Sequence, residues 1–347
     1  MAKMTSTQDA GQPARSPGVR AGWPEMLPTL VWLAALLIVP LVYILRMSFS
    51  DDPFALTATG WSLANYADSI PFYWDNLLNS VLIGLSSTIL AFAIAMPVAY
   101  GISFYGGRWK AVLLFAFFAP FLTSYLIRIV AWQTLLGANG PLFGSLQQAT
   151  GIEVRVLGTP FAVVAGLTYQ LVPFVLLPLY TAFNRVDRTL CAAADDLYSG
   201  RCGRSGAILG AAGGFAIGLL LAFVFFGGRG IAAPGPLLFV LASALLGGAI
   251  GGTMTERFAL IVFPLSRNGF VAAAVLSFIP ALGDYVNAAL LGNVRTQMLG
   301  NVIQAKFLVE LDYAGAAALS ATLLVAAMLL LTLLLRLIRG TELLDVV

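Results

Sequence analysis

Few residues in this chain could do chemistry, so the first question is which ones. There is no histidine among the 347 residues. Histidine-ligated metals, Ser-His or Cys-His nucleophile pairs and imidazole proton relays are therefore excluded. The two cysteines, Cys191 and Cys202, share one charged stretch and match no zinc or redox spacing, so they read as free thiols. No Gly-Lys dipeptide occurs, and with it goes the Gly-rich loop whose amides and lysine cradle nucleotide phosphates. No Gly-x-Ser-x-Gly elbow, zincin helix or dinucleotide fingerprint appears either. No cofactor, no metal site and no catalytic constellation are expected, and any work the protein does must draw on a partner or an ion gradient.

What remains are ionisable and aromatic residues inside apolar runs. Asp284 lies about fifteen residues into the run that begins near residue 269, or roughly 22 Å at 1.5 Å per residue. A carboxylate at that depth is costly and faces either a partner or a watery path. It suits a cationic solute whose ammonium ends are also held over aromatic faces, for which Tyr285, Tyr125 and Trp132 are candidates. The alternative is a buried ion pair with Arg128, which also falls in the outer half of a run. Arg128 itself argues against a purely cation-selective path and suits an interhelical clamp, a gating charge or a snorkelling anchor.

The elements that position these residues are membrane spans. The chain is 59% hydrophobic and 10% charged, with mean hydropathy +0.90 and net charge +3. Soluble domains carry about a quarter charged residues, and the scattered basic residues form no face for nucleic acid. Apolar runs long enough to cross a bilayer occur near 27–48, 79–102, 111–136, 159–182, 206–228, 237–254, 269–292 and 314–338. Placing the N-terminus inside leaves only Arg46, Arg155, Arg229, Arg295 and Lys306 outside, so the positive-inside bias puts both termini in the cytoplasm. Residues 1–25 read as a disordered tail before an uncleaved first span. Pro97, Pro120, Pro173, Pro178 and Pro280 fall inside spans, either as packing kinks or as marks of a bundle that rocks between two states. The outer segments carry Asp51, Asp52, Asp68, Asp75, Glu153, Glu310 and Asp312, either a solvated face or a surface that favours cations and basic docking partners.

Two cytoplasmic stretches then stand out, "CAAADDLYSGRC" (residues 191–202) and "ERFALIVFPLSRNG" (residues 256–269). Together they resemble the two halves of the coupling loop of bacterial ABC-importer permeases. That loop reads Glu-Ala-Ala, three residues, Gly, then a hydrophobic stretch closing on Pro, and its short helix docks on the ATPase subunit. "FFAPFLTSYLIRIVAWQTLLGANG" (residues 117–140) and "SFIPALGDYVNAALLGNVRTQMLGNVIQAKF" (residues 277–307) resemble segments of the spermidine/putrescine permease branch. The resemblance spans about 25–340, except roughly 203–255. It implies coupling roles for Ala192, Ala193, Asp195, Asp196, Tyr198, Phe258 and Pro264. Two residues depart from the pattern: Ala192 stands where the family has Glu, and Tyr198 where it has Gly. The lost carboxylate removes a charge partner for the ATPase, and Tyr198 is strained if that position needs a left-handed backbone.

Rejoining the loop across Cys202 and Glu256 restores the family spacing and leaves 203–255 as an insertion. Gly206, Gly210, Gly214 and Gly218 line one helical face, and Ser243, Gly247 and Gly251 another. Small faces let membrane helices pack closely, so the segment reads as a hairpin that enters and leaves from the cytoplasm. The other reading is a glycine-rich insert with no transport role. The expected organisation is a tail (1–25), a first permease part (26–202), the hairpin (203–255), a second permease part (256–340) and a tail (341–347).

The expected architecture is thus an all-α polytopic membrane protein, a six-span ABC-importer permease core plus an inserted glycine-rich transmembrane hairpin. The resemblance implies a non-enzymatic transport subunit of the bacterial inner membrane, for a small cationic solute such as spermidine or putrescine. Its implied partners are a second permease subunit, ATPase subunits and an extracellular solute-binding protein. The alternative is an ion-coupled secondary transporter using Asp284, which predicts inverted repeats.

Overall fold

The computed structural model describes residues 23–137, 140, 156–187, 189–190, 258 and 262–340. Every regular element among them is helical: α1 (Trp23–Met47), α2 (Ala64–Phe72), α3 (Trp74–Tyr105), α4 (Lys110–Phe118), α5 (Tyr125–Leu136), α6 (Pro160–Asn184), α7 (Phe263–Gly283), α8 (Val286–Leu291), α9 (Leu299–Ala305) and α10 (Tyr313–Gly340). Five of the described helices are long and apolar enough to cross a membrane. A bent pair, Gly107–Leu122 with Tyr125–Leu136, makes six if it counts as one span. The insertion at 203–255 with its glycines and Ser243, both expected tails except for residues 23–25 and the loop residues Ala192, Ala193, Asp195, Asp196 and Tyr198 lie outside the described residues.

The bundle is organised on α6, the most deeply buried span, with α3 and α7 against it. Close approach of α3 follows from its sequence. Gly84, Thr88, Ala91, Ala95 and Ala99 recur at helical spacing, and all are buried. Small side chains let two backbones gain packing contacts where lipid offers no hydrophobic driving force. The α6–α7 crossing depends on Gly269 in the same way: a Cβ there would collide with Ala182 and stand 3.1 Å from the Pro178 carbonyl oxygen. Towards the end of the bundle where α3 and α6 finish, rings close the core. Phe183 lies 5.9 Å from Phe270 and 6.0 Å from Phe258, and Phe258 lies 5.7 Å from Tyr100.

Two expected spans are not continuous helices. The run at 111–136 breaks at Thr123 and Ser124, both extended, and the flanking segments bend by 87°. Pro120 has no N–H to give the preceding turn, and the Thr123 hydroxyl bonds back to the Pro120 carbonyl at 2.7 Å. The run at 269–292 begins earlier, at Phe263, and breaks at Asp284. Asp284 is therefore not midway along a helix, as its position in the apolar run suggested, but at a helix end.

Opposite the ring-lined end, a compact charged cluster lies between α9 and α10, outside the spanning helices. The Lys306 ammonium donates to Asp312 at 2.6 Å, lies 3.4 Å from Glu310 and sits 5.5 Å over the Tyr73 ring. Asp312 also accepts the Gly315 N–H at 2.8 Å and so caps the start of α10. Burial alone would lower the Lys306 pKa. The Asp312 hydrogen bond and the charges of Asp312, Tyr73 and Glu310 outweigh it and hold the pKa above its ordinary value.

Gly269→Ala is expected to destabilise the purified protein by about 1–3 kcal/mol through overpacking. Gly101→Ala, in α3 with open space around it, should stabilise by about 0.5–1 kcal/mol. Thermal midpoints in detergent that move together rather than apart would refute this account of the α6–α7 crossing. For Lys306 the raised pKa fixes the direction. Its stabilisation is complete below the ordinary value of 10.5 and disappears as pH climbs through the raised one. Lys306→Met should abolish that alkaline loss, read from unfolding midpoints across a pH series.

Candidate functional site

The two helix breaks meet. At the Asp284 break, the backbone leaves α7 in an extended conformation and turns at Tyr285 into the short α8. The Asp284 carboxylate completes the turn, because Oδ1 accepts the Asn287 N–H at 2.9 Å, as a helix-capping aspartate does. Its Oδ2 accepts the Asn287 side-chain amide at 2.9 Å and the Tyr125 hydroxyl at 2.6 Å. Tyr125 is the first residue of α5, immediately past the other break. One carboxylate thus caps α8 and ties it to α5. Three donors thus converge on this one carboxylate.

Around this junction lies a cavity of about 750 Å³, walled mainly by apolar side chains from α4 to α8. Its polar wall residues are Asp284, Tyr125, Tyr285, Arg128 and Gln170. Asp284 and Arg128 are its charged groups. The expected pairing of these two is not found, since no ion pair joins them among the described residues. Instead the Arg128 guanidinium lies over the Phe121 ring at 5.1 Å, with its Nε buried and without a hydrogen-bond partner. Phe121 in turn stacks on Tyr169 at 5.0 Å. The carboxylate found neutral donors nearer than the guanidinium, and the guanidinium found a ring face.

Of the residues expected along a substrate path, Asp284, Tyr285 and Tyr125 are brought together, and Arg128 joins them in the wall. Trp132 is not in the wall; it packs on Tyr169 at 5.7 Å one turn further along α5. Of the expected coupling residues that are described, Pro264 is exposed at the first turn of α7. Phe258 is 6% exposed and locked among Tyr100 and Phe183. It can anchor a loop but has no surface to offer a docking partner.

Two residues that matter here were not anticipated. Asn287 is 1% exposed and donates three times in this network, twice to Asp284 and once to the Tyr125 oxygen at 3.3 Å. Its sequence signal is the Asp-x-x-Asn spacing, which marks a helix start once a break is suspected. Gln170, 7% exposed on α6, carries a buried side-chain nitrogen with no partner. Nothing in its apolar surroundings distinguishes it in the sequence. Room for Asn287 comes from Gly166, where a Cβ would stand 3.0 Å from the Asn287 Oδ1 and collide with Leu291.

Gly166→Leu should therefore cripple the site while sparing the distant ring-lined end. The expected reading is an unfolding midpoint in detergent lowered by several degrees with the protein still monodisperse on a sizing column, and a wild-type midpoint would count against this packing.

No protein-family profile matches the chain. Curated relatives do. The spermidine/putrescine transport system permease protein PotB of Haemophilus influenzae is 28% identical over 305 residues, covering 86% of this chain and 88% of its own. PotB of Escherichia coli is 27% identical, covering 88% of this chain and 94% of its own. Among solved structures, a bacterial ABC transporter involved in the import of the acidic polysaccharide alginate superposes with a TM-score of 0.62 at 13% identity, over 92% of this chain and 94% of that one. In sequence the chain is thus a relative of spermidine/putrescine permease proteins, and in fold it is similar to a chain of an ABC importer.

Proposed function

We propose that this chain is the permease subunit of an ATP-driven importer that carries a small cationic solute, spermidine or putrescine, across the inner membrane. The observation that carries the reading is the match to PotB along nearly the whole of both chains. The cavity supports it, because a lone carboxylate among aromatic and apolar walls is the chemistry an alkyl diamine requires. Its methylene chain contacts apolar surface while an ammonium end takes the carboxylate and the face of Tyr285, which is 40% exposed. Arg128 in the same wall keeps further positive charge away from its own side.

The chain's part is to hold and release the solute. A binding protein on the outer side delivers it, a second permease completes the path, and ATPase subunits supply the work. In this reading α7 runs from the cytoplasmic face outward, Pro264 stands at the coupling surface, and Phe258 fixes the loop to the bundle. Residues 203–255 form the inserted hairpin within that loop. The ion-coupled alternative finds no support among the relatives, which are ABC permeases.

The test is ATP hydrolysis by the reconstituted complex, stimulated by loaded binding protein, with the chain intact and with 203–255 removed. Stimulation in both is the expected result and makes the hairpin a passenger. No stimulation in either, from an assembled complex, would sink the assignment. Asp284→Asn should lower spermidine uptake by at least about tenfold, since a neutral amide forfeits the ionic part of the contact. Uptake within twofold of the parent would remove Asp284 from the path.

A further inference from the structure

We propose that Tyr125 sets the solute's access to Asp284: its hydroxyl holds the carboxylate oxygen that an incoming ammonium must take, and its departure frees the turn at Gly283–Tyr285. This rests on the cationic-solute reading, and it adds a residue and a sequence of events to it.

The competition follows from which donor can leave. Both carboxylate oxygens are occupied, Oδ1 by the Asn287 N–H and Oδ2 by the Asn287 amide and the Tyr125 hydroxyl. Asn287 is buried and belongs to the helix that Asp284 caps, so it cannot withdraw unless α8 unwinds. Tyr125 belongs to a different helix, is only half-buried and lines the cavity. It is therefore the displaceable donor. An ammonium offers the same oxygen a hydrogen bond charged on both sides, which is stronger than one from a neutral hydroxyl.

The consequence follows from what the Asp284 turn separates. Gly283 and Tyr285 line the 750 Å³ cavity and also a second hollow of about 320 Å³ beside α9, lined in addition by Gly300, Ile303, Gln304 and Phe307. The turn is the wall common to both. On the α9 side it is held by the Asn301 amide, which donates to the Tyr285 carbonyl at 2.7 Å. On the cavity side, the bonds that tie the junction to α5 both meet at the Tyr125 hydroxyl, which donates to Asp284 at 2.6 Å and accepts from the Asn287 amide at 3.3 Å. A Cβ at Gly283 would meet nothing within 4 Å, so the wall has space to move into. Taking the Tyr125 hydroxyl away joins the two hollows, and an amine does so by binding.

The experiment uses the full chain in its complex with ATPase subunits and binding protein, in vesicles. Cys191 and Cys202 are replaced by serine, and Ile303→Cys, in the second hollow and outside the solute cavity, serves as the reporter for a small water-soluble thiol reagent. Tyr125→Phe is expected to raise the labelling rate several-fold without any amine. Spermidine should raise it similarly in the Tyr125 parent and add nothing in the phenylalanine variant. In the chain with Ile303 restored, Tyr125→Phe should lower KM for spermidine by about tenfold, the worth of one hydrogen bond to a charged group. Asp284→Ala cuts the same tie from the other side and should also raise labelling, which covers the case of a phenylalanine variant that fails to assemble. Unchanged labelling in whichever of these variants assembles would overturn the proposal, whatever the complex transports. Raised labelling in both variants, with spermidine neither labelled for nor carried, would instead overturn the cationic-solute reading and leave the wall and its tie standing.

Discussion

A helix cannot stop inside hydrocarbon unless something takes over the hydrogen bonds it abandons. Where the chain restarts as α8 and leaves N–H groups bare, that duty falls to the side chain of Asp284. The carboxylate caps the helix that starts two residues later and accepts a hydrogen bond from a hydroxyl of the neighbouring broken span. Two interruptions that would each be costly alone thus support one another, and the cavity exists because both spans turn aside at that level. Gly166 and Gly300 are part of the same arrangement. They let α6 and α9 approach Asn287 and Tyr285 closely enough for the side-chain bonds to form.

Much of the frame was legible in the sequence, for a simple reason: an apolar run of twenty residues in a chain this poor in charge has few fates. The runs near 27–48, 79–102, 159–182 and 314–338 correspond to α1, α3, α6 and α10. The breaks were not legible. Prolines in membrane helices commonly only bend them, so Pro120 gave no reason to expect an 87° turn and Pro280 none to expect a break at Asp284. Asp284 stood out by its charge, with a watery path and an Arg128 pair as its two readings, and its neutral neighbours did not. Formal charge pointed to Arg128, whereas the fold supplied three short-range neutral donors and gave the arginine a ring. Asn287 and Gln170 were missed because an amide in an apolar run has no periodicity. Their importance appears only once α5 and α8 are known to meet.

The two ends of the bundle are built on different physics. Where α3 and α6 finish, rings interlock and Phe258 is buried among them, so any displacement of Phe258 is passed to three helices through contacts that cannot be compressed much. At the other end, the chain is pinned by directional bonds: Lys306 with Asp312, Asn79 with the carbonyls of Arg295 and Gln297, and Asn65 with those of Ser48 and Ser50. Interlocked rings resist displacement in every direction, whereas hydrogen bonds can be exchanged one at a time.

The first helix is held by the rest of the chain mainly through its last turn, where Met47 is 3% exposed; residues 26–45 are exposed, Trp32 among them at 67%. Its surroundings in a bilayer are therefore acyl chains or another polypeptide, and its indole senses the medium more than the fold. Fluorescence from Trp32 would shift with lipid chain length or with the detergent chosen while the core stayed intact. The bundle could also lose its packing around α6 with little change in that signal.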